Sequence, residues 1–130
     1  MQAITAGLLA EVEISVAETD TATHYGSGLV AVYATPALVA LMENAAVRVL
    51  EGLLPAGQTT VGGRIDVHHL AATPVGMRVR ARAELVTVEG RKLTFRIEAW
   101  DEVEAIGEAT HERFIVDKEK FIARANAKAR

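Results

Sequence analysis

One long, mostly apolar helix followed by a run of alternating strands makes this chain an α+β protein, with a curled antiparallel sheet around a central helix. Three observations carry that expectation. Residues 35–52 form a helical segment with both end signals, residues 77–85 and 92–99 alternate strictly, and a short charged helix ends the chain.

Residues 9–16 alternate as a first strand, with Val12, Ile14 and Val16 on one face. Residues 19–28, polar and glycine-bearing, read as a loop or lid. The helix follows: Thr35 is placed to cap it, Pro36 suits its first position, and Gly52 with Pro55 marks its end. Residues 59–70 read as a strand. Met77, Val79, Ala81, Ala83 and Leu85 then alternate with Arg78, Arg80, Arg82 and Glu84, so the arginines take the wet face. Leu93, Phe95, Ile97 and Ala99 alternate with Lys92, Thr94, Arg96 and Glu98, and Glu89-Gly90-Arg91 between the two runs makes a hairpin. After a turn at residues 101–104, a last strand covers about residues 105–116. The helix is apolar almost all round, so the sheet is expected to wrap it closely, which is the hotdog arrangement. A half-wrapped helix and free sheet edges would favour a dimer.

With 130 residues the chain is one domain, residues 1–130, large enough for a normal core. Half the residues are hydrophobic and 24% charged, which excludes a disordered chain. The apolar runs are too short to span a membrane, and the N-terminus lacks the pattern of a signal peptide. There is no cysteine, hence no disulfide framework and no thiol nucleophile, and a cytoplasmic setting is expected. A net charge of −3 argues against a general nucleic-acid binder, although residues 118–130 form a cationic, short helical tail.

Glu43 is the most informative residue. Steps of three and four from it reach Pro36, Ala40, Val47, Leu50 and Leu54, an apolar stripe with no Lys or Arg at helical spacing. A carboxylate on a buried stripe costs several kcal/mol unless it finds partners elsewhere, so chemistry is suspected. On the facing strand Ile65, Val67 and His69 share the inward side, whereas Arg64, Asp66, His68 and Leu70 face outward. An inward His alone is more often a satisfied core residue, but a second ionisable group facing it favours a site. Gly62-Gly63 permits either a close backbone approach to an oxyanion or a simple bulge. Alternation places Arg113 inward with Ala109, His111 and Ile115. His24 and His111 lack metal-ligand spacing, and no nucleophile elbow, phosphate loop or dinucleotide fingerprint is present.

Three ordered segments, Ala34-Thr-Pro-Ala-Leu-Val-Ala-Leu-Met-Glu-Asn-Ala-Ala46, Val67-His-His-Leu-Ala-Ala-Thr-Pro-Val-Gly76 and Gly107-Glu-Ala-Thr-His-Glu-Arg113, resemble the fluoroacetyl-CoA thioesterase family of hotdog proteins. The likeness runs from about residue 25 to the C-terminus. It implies an acyl-CoA hydrolase acting as a homodimer, alone or paired into a tetramer, without metal or redox cofactor. It also implies Thr35, Glu43 and His69 as the catalytic residues, with Gly62 and Arg113 contacting substrate. One departure stands out: the lid phenylalanines of the fluoroacetyl-specific enzyme are missing from Gly26-Ser-Gly-Leu-Val-Ala-Val-Tyr33, so a different short- or medium-chain acyl group is expected.

The expected reaction is hydrolysis of a small acyl-CoA. Glu43 serves as nucleophile or as general base, His69 handles the proton, Thr35 positions the reacting group, and the Gly62 N–H meets the oxyanion. Arg113 and the cationic tail are expected towards the CoA phosphates. Three rival readings stay open. A non-catalytic acyl-CoA sensor would bind without releasing thiol; an enoyl-CoA hydratase would need an Asn-Pro segment that is absent; a structural Glu43–His69 pair would only fix a dimer.

Overall fold

The computed structural model describes residues 3–129, so Arg130 of the cationic tail lies outside the described residues. Strand β1 (Leu9–Ser15) leads through a 3-10 turn (Glu18–Asp20) and a one-turn helix α1 (Ala22–Tyr25) to the long helix α2 (Thr35–Val49). Strands β2 (Gln58–His69), β3 (Arg78–Glu89), β4 (Lys92–Trp100) and β5 (Ala105–Asp117) follow, and then helix α3 (Lys118–Asn126). The strands form one antiparallel sheet in the order β1-β3-β4-β5-β2, so β1 and β2 are its edges.

Alternation decides which side of the sheet meets α2. Val79, Ala81, Ala83 and Leu85 of β3 and Leu93, Phe95, Ile97 and Ala99 of β4 are fully buried. Their neighbours Arg80 and Arg82 lie on the outer face, over the Trp100 ring at 5.0 and 5.5 Å, with Arg82 paired to Glu11 at 3.2 Å. Glu89 pairs with Lys92 across the hairpin, and Gly90 turns the chain at φ 62, a conformation most side chains avoid.

Helix α2 buries Ala37, Leu38, Leu41, Met42, Ala45, Ala46 and Val49, the three-and-four spacing of one face. The alanines let the helix sit low on the sheet. Gly107 of β5 does the same from the other side: a Cβ there would stand 2.9 Å from Leu38 Cδ2 and 3.1 Å from Met42 Cε.

The opposite side of α2 corrects the expectation of close wrapping. Pro36 and Ala40 are exposed, as is Val47 at 43%. Five strands curl far enough to cover one face of the helix; Pro36, Ala40 and Val47 around Glu43 stay open, while Leu50 further along that stripe is buried.

Two local readings also change. The helix starts one residue early, with Thr35 its first helical residue and Ala34, which has no polar side chain, the N-cap; the Thr35 hydroxyl lies 2.8 Å from His69 Nδ1 instead. Residues 19–28 hold the 3-10 turn and α1 as well as loop. The Thr21 hydroxyl accepts from the His24 N–H and Gly26 ends the turn at φ 72, local cap signals too short to show periodicity. At the C-terminus Asp117 caps α3 by accepting from the Lys120 N–H. No helix among the described residues is long and apolar enough to cross a membrane.

The close contact at Gly107 leads to a first prediction. Gly107→Val should lower unfolding stability in denaturant by about 1–3 kcal/mol through overpacking against Leu38 and Met42. An unchanged midpoint would mean the helix-to-sheet spacing is not limited there.

Candidate active site

Two polar groups line the open side of α2. At its N-terminal end the Thr35 Oγ1 lies 2.8 Å from His69 Nδ1. Side chains of a helix lean towards its N-terminus, so a threonine in the first turn reaches the end of β2, where alternation points His69 inward. The Nε2 of the same ring is buried without a hydrogen-bond partner among the described residues. If Nδ1 accepts from Thr35, Nε2 carries a free N–H; in the other tautomer Nε2 is a free base. Burial lowers the His69 pKa below 6.5, with the Ala71 backbone opposing the shift. Beside the pair lies a cavity of about 360 Å³ whose apolar lining includes Ala22, Val30, Val32, Ala34 and Ala71. A second concavity, about 280 Å³, sits on the outer face around Asp66, His68, Arg96 and Glu98, away from both groups.

The second group centres on Glu43. Its Oε2 stands 3.5 Å from Arg113 Nη1, an ion pair at the outer limit of hydrogen bonding. Arg113 itself is 6% exposed and closely held: Nε donates to the Thr60 hydroxyl at 3.0 Å, Nη2 to the Thr60 carbonyl at 3.1 Å, and Nη1 to His111 Nε2 at 3.2 Å. Four of its five N–H groups are thus engaged inside the protein. This is a different setting from the solvent-facing one that binding to CoA phosphates would require. Burial lowers the Arg113 pKa, and Glu43 opposes that shift.

Gly62 closes the group. A Cβ there would lie 2.8 Å from Glu43 Oε2, 3.3 Å from His111 Cε1 and 3.4 Å from Arg113 Nη1, so only glycine leaves the carboxylate its place. Gly63, next along β2, lies at the register shift between Gly62 and Arg64 and passes against the Phe114 ring. The paired glycines therefore provide both a close approach and a bulge.

Sequence-predicted residues thus fall into two sets, Thr35 with His69 and Glu43 with Gly62 and Arg113. The carboxylate and the imidazole do not meet within one chain. Eight residues separate Thr35 from Glu43, about 12 Å along a helix axis. The Glu43 side chain is also 41% exposed, because its stripe is apolar but uncovered. Thr60 and His111 were missed. His111 shares the alternation that turns Ala109 and Arg113 inward, and its ring bonds the Arg64 carbonyl and Arg113 instead of a metal-ligand set.

The fold is that of a hotdog protein, and comparison with known proteins places the chain more closely. A family model described as fluoroacetyl-CoA-specific thioesterase matches residues 16–119. A fluoroacetyl-CoA thioesterase of Streptantibioticus cattleyicolor is 46% identical over 97 residues, 75% of this chain and 70% of that protein. A solved variant of the fluoroacetyl-CoA-specific thioesterase FlK, in complex with fluoroacetate and CoA, superimposes with a TM-score of 0.86 at 38% identity, covering 91% of this chain and 99% of that one. A thioesterase superfamily member from Thermus thermophilus gives 0.91 at 31% identity, over 99% of this chain and 96% of that one. The chain belongs to the fluoroacetyl-CoA-specific thioesterase family.

The two inward histidines make a pH prediction. Burial is the largest cause lowering the pKa of both His69 and His111 from 6.5. Unfolded chains take up these protons near pH 6.5 and the folded protein only at lower pH. Stability is therefore complete above 6.5 and declines as pH falls below it. Thermal melts from pH 8 to pH 5 should show that decline, with a shallower slope in His111→Gln. Identical slopes in both proteins would show that His111 takes up its proton equally in folded and unfolded chains.

Proposed function

We propose that the protein hydrolyses a short- to medium-chain acyl-CoA to the free acid and CoA, using Thr35, Glu43 and His69. The observation that carries this reading is the open face of α2. A Thr–His pair with a free Nε2 borders an apolar cavity, and a carboxylate beside Gly62 lies further along the same helix face, in a chain of a thioesterase family. Glu43 attacks the thioester carbonyl carbon to give a mixed anhydride, which water then hydrolyses to free the acid and restore the carboxylate, or it deprotonates a water that attacks that carbon directly. The C–S bond breaks, the leaving thiolate ends with a proton drawn from the water and relayed through His69 Nε2, and Thr35 keeps the ring oriented. The Gly62 backbone, with no Cβ in the way, approaches the developing oxyanion. Arg113 supports that side of the substrate through its remaining N–H and through Glu43. A cavity of about 360 Å³ is roomier than a two-carbon acyl group needs, and the exposed Val30 in its lining is aliphatic. CoA thioesters occur in the cytoplasm, which is where we place the activity.

A second copy of the chain completes the site in this reading. On α2, Thr35 and Glu43 lie symmetrically about Val39; on β2, Gly62 and His69 lie symmetrically about the Ile65–Asp66 peptide. β2 is an unpaired edge, and the stripe of Pro36, Ala40 and Val47 is uncovered. A two-fold axis through these midpoints, pairing the β2 edges antiparallel, brings Thr35 and His69 of one copy beside Glu43 and Gly62 of the other.

Free-thiol release from acyl-CoAs running from acetyl to palmitoyl, with haloacetyl and phenylacetyl members, tests the chemistry. Release from some members that drops by about 10²-fold or more in Glu43→Gln is expected; undiminished turnover by that variant would remove Glu43 from the mechanism. Mixing Glu43→Gln with His69→Ala chains tests the shared site. Random exchange yields heterodimers with one intact site each, so about a quarter of wild-type activity should return. Recovery of none would confine each site to one chain.

A further inference from the structure

We infer that His111 is a positioning residue for hydrolysis: its imidazole holds the Arg113 guanidinium against which the Glu43 carboxylate rests. The inference depends on the reading of Glu43 as the catalytic carboxylate.

Hydrogen bonding settles the state of the ring. His111 Nδ1 lies 2.7 Å from the Arg64 carbonyl oxygen, which only accepts, so Nδ1 carries the proton. Nε2 lies 3.2 Å from Arg113 Nη1, which only donates, so Nε2 is bare. A doubly protonated ring would set an N–H against an N–H and a cation against a cation. Burial keeps His111 in the matching form by lowering its pKa, and the positive charge of Arg113 acts in the same direction.

The contacts of Arg113 show why this acceptor matters. Thr60 fixes Nε and Nη2 from β2, leaving Nη1 as the nitrogen that faces Glu43. His111 takes one hydrogen of that nitrogen, and the other is then directed at Oε2 of Glu43. At 1% exposure no solvent can replace His111 in this task, and a buried guanidinium short of an acceptor is strongly destabilised. The ring also touches the space beside Gly62, so the residue that orients Arg113 borders the carboxylate as well. His111 touches neither Glu43 nor substrate through a reacting atom, and its effect runs through Arg113.

The two 1,3-related nitrogens of imidazole can be imitated by an amide. In His111→Gln the NH₂ can donate to the Arg64 carbonyl while the oxygen accepts from Arg113; in His111→Leu the volume stays and both bonds go. The test is kcat and KM for the best acyl-CoA in wild type, His111→Gln, His111→Leu, Arg113→Met and the double variant His111→Leu/Arg113→Met, with melts confirming that each is folded. His111→Leu should lose about tenfold or more in kcat with little change in KM, and Gln should restore most of it. In the Arg113→Met background the Leu substitution should cost less than about threefold more. Wild-type kcat in His111→Leu, or an equal loss in both backgrounds, overturns the inference. If His111→Leu fails to fold, the Gln variant decides: activity within about threefold of wild type supports the inference, and a loss as large as that of Arg113→Met overturns it. Glu43→Gln, run alongside, separates this outcome from a failure of the active-site reading, since its undiminished turnover would sink the latter whatever His111 does.

Discussion

Helix α2 is buried on one side only, and the rest of the structure depends on that asymmetry. Seven residues at three-and-four spacing, many of them alanine, seat the helix on the sheet, with Gly107 removing the last obstacle. Fully buried side chains of β3 and β4 fill the space beneath. The side turned away carries Pro36, Ala40, Glu43 and Val47, a face too apolar for a solvated helix and too charged for a core. That face is where the proposed site lies.

The charge balance beside that face is similarly one-sided. Arg113 is buried at a cost that acceptors must offset, and Thr60, His111 and Glu43 supply them for four of its five N–H groups. Glu43 contributes the loosest contact and keeps much of its exposure. The carboxylate is thus oriented from one side while its other side remains accessible to a reactant. Gly62 matters for the same reason, since any side chain there would occupy the place of the carboxylate.

Much of the fold could be read from local patterns. The alternation in β3 and β4 named the buried residues correctly, the outward arginines lie on the wet face, and a short helix follows the last strand. At the site, alternation turned His69 and Arg113 inward, and Glu43 stood out as a carboxylate without helical partners. The errors have physical causes. Thr35 suited a cap by type, but the helix starts at Thr35 itself and its hydroxyl meets His69 at the end of β2. The stripe through Glu43 looked buried because hydrophobicity does not say how far a sheet curls.

Periodicity, capping chemistry and turn residues act over a few positions, so the chain alone determined its two longer helices, its hairpin and the inward side of each strand. Which inward groups meet depends on contacts between distant segments. The pairing of β2 with β5, shifted at Gly63, sets Thr60 and Gly62 beside Arg113, and the seat of α2 sets Glu43 above them. That division separates Thr35 and His69 from Glu43 within a chain, and it gives His111 a ring with both nitrogens committed. No local pattern encodes these meetings, because each is the outcome of packing the whole sheet against one face of a single helix.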